Sequence, residues 1–199
     1  MANYSGKRKR GLQFYHKQRK VKKGLVSMIV ECVIIALIVG FVAYVVVRLY
    51  GMKTVMVGSS MEPELENAEE VFINRMVYVI SSPKRGDVIA FLPKGNEKSH
   101  YYIKRVIALP GETVQIKNGK VYINGDVLEE YAFDSIIDAG IAENELKLGT
   151  DEYFVLGDMR NNSDYSRSGN MGPVNKDDIY GKVWYKKKTD NQKAGFVNR

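Results

Sequence analysis

Two stretches of this 199-residue chain carry residue types that could do chemistry together: the hydroxyls of Gly58-Ser59-Ser60-Met61-Glu62-Pro63 and the amine of Lys104. Other chemistries are thinly supplied. There are two histidines, His16 in a basic tail and His100 in a polar loop, without His-x-x-x-His spacing, so a zinc enzyme is not expected. The single cysteine, Cys32, allows neither an internal disulfide nor a thiolate metal cluster within one chain. No metal and no cofactor are expected. If the chain is an enzyme, its nucleophile is then a hydroxyl and its base an amine. Such an amine has to lose its proton near neutrality, which takes its pKa from about 10.4 to about 7 or 8 and costs roughly 4 kcal/mol of desolvation. Only a burying environment does that.

Lys104 sits in the run Tyr101-Tyr102-Ile103-Lys104-Arg105-Val106-Ile107-Ala108-Leu109. Read as one strand, this run puts Tyr102, Lys104, Val106 and Ala108 on one face and turns Arg105 to the other. An amine there has apolar neighbours. On spacing alone, however, an edge lysine that discourages strand aggregation is the commoner explanation. Ser60 follows a strand expected at 54–57, and Gly58 lets the chain bend so that a hydroxyl and a backbone N–H face one direction, the outline of an oxyanion hole. A plain turn explains that segment equally well.

The elements that must position these residues begin with a tail and a membrane segment. Residues 1–24 contain nine Lys or Arg and no acid; subtracting these nine from the net +7 leaves the remaining 175 residues at −2. The basicity is therefore a terminal tail and not a folded phosphate-binding face, and nucleic acid is not expected as a partner. Residues 25–47, LVSMIVECVIIALIVGFVAYVVV, are interrupted only by Ser27 and Glu31. As a helix they reach roughly 35 Å, enough to cross a hydrocarbon core of about 30 Å. A buried core helix is excluded, since so small a domain cannot cover it on all sides. A cleavable signal peptide has a shorter apolar region and small residues at its cut, which Val47, Arg48, Leu49 and Tyr50 do not offer. The positive-inside bias predicts a single-pass cell-membrane protein with a cytoplasmic N-terminus, an extracytoplasmic domain, and a tail with affinity for anionic lipid.

Residues 51–185 change to alternating periodicity with frequent Gly, Pro, Asn and Asp, which predicts a mainly β, antiparallel domain. The strongest local signal is TVQIKNGKVYIN at 113–124, a hairpin turning on Asn118-Gly119. Further strands are expected at 71–73, 88–92, 101–109, 153–156 and 179–185. Residues 136–146 read as loop or short helix, and the basic tail 186–199 as frayed.

Four segments in order resemble a family. Ser60-Met61-x-Pro63 with Leu65, Arg85-Gly86-Asp87-Val88-Ile89-x-Phe91, Tyr102-Ile103-Lys104-Arg105-Val106-Ile107 with Leu109-Pro110-Gly111, and Gly157-Asp158-x-Arg160-Asn161-Asn162-Ser163 with Ser166-Arg167 are similar to the boxes of type I bacterial signal peptidases, in a single-anchor form like that of Gram-positive bacteria. The resemblance implies a serine endopeptidase in which Ser60 attacks the scissile carbonyl and neutral Lys104 is the general base. It implies that Ser163 orients the lysine, that the Ser60 N–H holds the oxyanion, and that Asp158, Arg160 and Arg167 brace the site. Gly58 stands where some relatives carry a second oxyanion donor. Met159 stands where the fourth box has asparagine, and the acid before Arg167 is displaced by one place to Asp164, which leaves that arginine's partner open. The implied substrates are preprotein signal peptides with small residues one and three places before the cut, added as a strand to a sheet edge. Met56, Val57, Gly58 and Tyr102 are the expected substrate contacts. The alternatives are a specialised or pilus-assembly relative and a non-catalytic, membrane-anchored peptide-binding β module. The oligomeric state is left open.

Overall fold

The computed structural model describes residues 23–50, 52–92, 100–129, 135–162, 167–168, 172–189 and 192–197. The apolar segment is one helix, α1 (Lys23–Tyr50). Its stretch Gly24–Val47 has a mean hydropathy of 2.8, and none of it is buried against protein. A helix so apolar and so uncovered has only lipid to bury its surface.

From Tyr44 onward the chain folds as a separate unit. Its elements are β1 (Met52–Val55), β2 (Glu70–Asn74), the single-turn helix α2 (Val77–Ile80), β3 (Val88–Phe91), β4 (Tyr102–Ala108), β5 (Thr113–Lys117), β6 (Lys120–Ile123), β7 (Asp126–Val127), β8 (Leu146–Lys147), β9 (Glu152–Leu156), β10 (Val174–Asn175), β11 (Ile179–Lys186) and β12 (Gly195–Phe196). The larger sheet runs β1-β2-β11-β3-β4-β9-β10, and β12 adds to β11; the smaller runs β7-β6-β5-β8. Every pairing is antiparallel. The mainly β antiparallel fold is thus as the periodicity implies.

The Asn118-Gly119 hairpin forms as expected, with both residues at positive φ (51° and 76°). Asn124-Gly125 repeats the device at 53° and 91° and turns β6 into β7. Residues 136–146 contain a 3-10 turn, Gly140–Glu143, leading into β8. The first strand lies two residues earlier than expected, at Met52–Val55, although the Met56 N–H still donates to the Glu69 carbonyl (2.8 Å) before Gly58 turns away at φ 84°.

On β3 and β4 the two faces feed two clusters. Val88, Ala90 and Ile103 pack with Met56, Met61, Leu65, Val71, Ile73 and Val183. Ile89, Phe91 and Val106 pack with Tyr153, Val155 and Val174, with Tyr102 against them. The expected alternation along β4 holds from Tyr102 to Val106 and then fails. A bulge between Val106 and Ala108, opposite Val155 and Phe154, sends Ala108 into a third cluster beside Ile107. Ala108 therefore does not share a face with Lys104, because the extra residue reverses the alternation.

The C-terminal segment is not frayed where it is described. Gly195–Phe196 pairs with β11, the Val197 N–H donates to the Trp184 carbonyl (3.0 Å), and Val197 packs on the Met61 cluster. Phe196, against Trp184, and Val197 add apolar contacts at the far end of this segment.

The second box is structural. Arg85 Nη2 meets Glu112 Oε1 at 2.6 Å. Buried Asp87 accepts from Tyr78 (3.0 Å), the Lys84 N–H (3.1 Å) and Lys182 (2.6 Å). Burial pushes the Asp87 carboxyl up, but the Lys182 ammonium and the other two donors outweigh it and hold it below its ordinary value. Unfolded Asp87 then takes up its proton at a higher pH than folded Asp87, so the stability it contributes is present at neutrality and is lost as pH falls below about 4. Asp87→Asn should cost about 3 kcal/mol at neutral pH, with the gap to wild type narrowing in acid; urea denaturation across that range measures it.

Candidate active site

Lys104 comes from β4, a strand hydrogen-bonded on both sides by β3 and β9, which fixes its backbone. Its side chain is enclosed, and only 7% of the residue meets solvent. Ser60 comes from the loop between β1 and β2 and is half-buried. The loop is folded by bonds from the Glu62 N–H to the Ser59 carbonyl (3.1 Å) and from the Leu65 N–H to the Met61 carbonyl (2.9 Å). Met61 and Leu65, both fully buried, pin it to the core. Lys104 Nζ and Ser60 Oγ, 44 residues apart in sequence, stand 2.6 Å apart in hydrogen-bond contact.

This contact overturns the edge-lysine explanation, since β4 is an interior strand. A neutral amine at that distance could take the hydroxyl proton as the oxygen attacks, so the pair has the geometry required of a nucleophile with its base. Lys104 is enclosed while Ser60 is half-buried.

A family model described as signal peptidase, peptidase S26, matches residues 25–186. The chain belongs to that family. Similar proteins include signal peptidase I P of Bacillus subtilis subsp. natto, 37% identical over 176 residues that make up 84% of this chain and 91% of that protein. Signal peptidase I of Bacillus amyloliquefaciens is 37% identical over 174 residues, 83% of this chain and 89% of its own. A crystal structure of a signal peptidase I from Enterococcus faecalis aligns over 52% of this chain and 98% of that chain, with 31% identity and a TM-score of 0.41. This chain is a serine endopeptidase of the signal peptidase type, and its N-terminal helix fits a membrane anchor.

In this peptidase the fourth box acts through its backbone at Met159 and through side chains at Asp158, Asn161 and Arg167. The Met159 N–H donates to the Ser60 carbonyl at 3.1 Å, so the place where asparagine is usual still holds the nucleophile's peptide group. Asp158 receives a two-pronged ion pair from Arg105, at 2.7 Å from Nε and 2.6 Å from Nη2, with both side chains buried. Arg105 Nη1 also donates to the Gly86 carbonyl at 2.9 Å. Arg105 ties the second, third and fourth boxes together, a role that residue spacing does not reveal. A buried arginine in a core strand, beside the candidate lysine, is the signal that could have found it, because such a charge needs a carboxylate.

Arg160 and Arg167 are both buried, and Arg167 Nη2 donates to the Arg160 carbonyl at 2.7 Å. Arg167 Nη1 donates to the Asp138 carbonyl, and its own carbonyl accepts from the Ile141 N–H (2.9 Å). Arg167 thus braces the 3-10 turn at 140–143. Gly140 is required there, because at φ 55° a Cβ would stand 2.2 Å from the Arg167 carbonyl oxygen. Asn161 clasps the same strip, accepting from the Ile137 N–H and donating to the Ser135 carbonyl, each at 2.9 Å. Ser163 and Asp164 lie outside the described residues.

Of the expected substrate contacts, Val57 and Gly58 are exposed, Tyr102 is half-buried, and Met56 is turned into the core at 2% exposure. The Gly58 N–H donates to Asn67 Oδ1 at 2.9 Å, and no atom lies within 4 Å of where a Cβ would be.

Asp158→Asn should leave the Arg105 guanidinium buried without its counter-charge and cost about 3–5 kcal/mol in chemical denaturation. Replacing both partners together, Arg105→Met with Asp158→Leu, should recover most of that loss.

Proposed function

We propose that this chain removes N-terminal signal peptides from exported preproteins, with Ser60 as nucleophile and Lys104 as general base. The observation that carries the assignment of roles is the 2.6 Å contact between enclosed Lys104 and half-buried Ser60 in a chain of the signal peptidase family. Lys104 Nζ takes the Ser60 proton as Oγ attacks the scissile carbonyl, and the Ser60 N–H receives the developing oxyanion. The same amine, now an ammonium, returns the proton to the leaving nitrogen as the C–N bond breaks. Water, deprotonated by the again neutral amine, then opens the ester and frees Ser60. Ser163 is proposed to orient the lysine.

The substrate reading follows from place and shape. β1 is an edge strand, with Val55 and Val57 exposed at 45% and 56%, and it runs directly into the nucleophile loop. An extended peptide added there would be carried toward Ser60. Met56 is turned into the core, which leaves Val57 and Gly58 as the exposed contacts beside Ser60. Ser60 lies thirteen residues past Val47, so an extended connection keeps it within about 45 Å of the membrane exit. With nine basic residues on the N-terminal flank, the tail is assigned to the cytoplasm, in contact with anionic lipid, and the peptidase domain to the outer face.

Ser60→Ala and Lys104→Met should each lower cleavage of a signal-peptide substrate at least about 10³-fold while peptide binding survives. Lys104→Arg should be as inactive, because a guanidinium does not give up its proton. Full activity in Ser60→Ala would remove the proposal. In the wild type, kcat/KM should fall in acid as the amine of the free enzyme becomes protonated.

A further inference from the structure

The loop that carries Ser60 is gripped from its outer side by residues far away in sequence. Gln192 Nε2 donates to the Pro63 carbonyl at 2.7 Å, across 129 positions. Lys186 Nζ donates to the Glu64 carbonyl at 2.6 Å and stands 3.4 Å from Glu64 Oε1. The two holding residues also hold each other, Lys186 Nζ to Gln192 Oε1 at 2.8 Å. Thr189 completes the clasp. Its hydroxyl donates to Glu66 Oε2 (3.2 Å) and accepts from the Gln192 N–H (3.0 Å), and its own N–H donates to the Gln192 carbonyl (3.0 Å).

We infer that residues 186–189 and 192–197 form a strap whose Lys186 and Gln192 position the nucleophile loop for the reaction; this rests on the reading of Ser60 as nucleophile. The strap is fastened at both ends. β11 delivers Lys186 from the larger sheet, and β12 with Val197 secures the far end, Val197 packing on the cluster that contains Met61, the residue after the nucleophile. The loop is therefore clamped on every described side. Met61 and Leu65 hold it from within, and the Glu69 carboxylate accepts from the Glu66 N–H (3.0 Å) at its return. The Met159 N–H holds the Ser60 carbonyl, and the strap takes the carbonyls of Pro63 and Glu64.

Both strap side chains grip backbone carbonyls of the loop, so their effect travels through the loop. A hydroxyl that must meet an amine at one distance and a scissile carbonyl at another tolerates little play, and a displacement of about 1 Å can cost on the order of 10²-fold in rate. Losing one of several holds allows less displacement than that.

The test uses the full-length protein in detergent micelles with a synthetic signal-peptide substrate, comparing wild type, Gln192→Glu, Lys186→Met, the double variant and Ser60→Ala. Gln192→Glu keeps an acceptor for Lys186 but replaces the donor to Pro63 by a carboxylate oxygen. Each single variant should lower kcat and the single-turnover acylation rate about 5- to 30-fold, with KM within about twofold and the melting temperature within about 2 °C. The double variant should lose less than the product of the two, because the partners share one contact. A kcat within twofold of wild type in both single variants overturns the inference, as does a fall in kcat that tracks a fall in melting temperature. Should either single variant fail to fold, Gln192→Ala or Lys186→Leu takes its place under the same criteria. If Ser60→Ala keeps wild-type activity, the nucleophile assignment itself is wrong; inactive Ser60→Ala with normal strap variants removes the strap alone.

Discussion

A lysine serving as base must be dry, and a serine serving as nucleophile must be reachable; the contact between Lys104 and Ser60 has to satisfy both. The fold divides the requirements between two kinds of backbone. Lys104 stands on an interior strand, fixed by ladders on both sides and almost wholly enclosed. Ser60 stands half-buried on the loop that follows an edge strand. Arg105, next along the chain, is matched by a buried carboxylate on the other face, so its charge is spent on Asp158.

That division moves the difficulty to the loop, which has no ladder to fix it. The structure answers with contacts from four directions, and most of those on the loop are to backbone groups. This explains why the fourth box can change at position 159 without losing its grip on Ser60: an N–H is present whatever side chain it carries. By contrast, Arg105 and Asp158 work through side chains in a two-pronged geometry that other residue types do not reproduce. Positions read by their backbone tolerate substitution, and positions read by their side chains do not.

Much of this was legible in the sequence. The apolar helix, the Asn118-Gly119 hairpin and most strands follow from local periodicity and turn chemistry, whereas Ser60 and Lys104 stand out only through the resemblance of four ordered segments to a family. The parts that were not legible depend on partners remote in the chain. The β4 bulge arises from how that strand meets β9, and nothing in Val106-Ile107-Ala108 announces it. The Arg105–Asp158 pair spans 53 positions. The C-terminal residues look polar enough to fray until Val197 finds the Met61 cluster and Gln192 finds Pro63. Helix α2 is four residues long, held by Asn74 Oδ1 accepting from the Val77 N–H and by the Ser81 hydroxyl donating to the Val77 carbonyl, too short for a periodicity to reveal.

The connection between anchor and chemistry is short for a physical reason. One residue, Gly51, separates α1 from β1, and β1 passes through Met56 and Val57 into the nucleophile loop. In the proposed enzyme the segment that leaves the membrane is thus also the edge on which the substrate pairs. A signal peptide leaves its own apolar stretch in the lipid and emerges extended. On that proposal a signal peptide paired along β1 would present the bonds just past its apolar stretch to Ser60. Contacts beside Ser60 would then need only to reject large side chains, because the strand pairing would already supply the register.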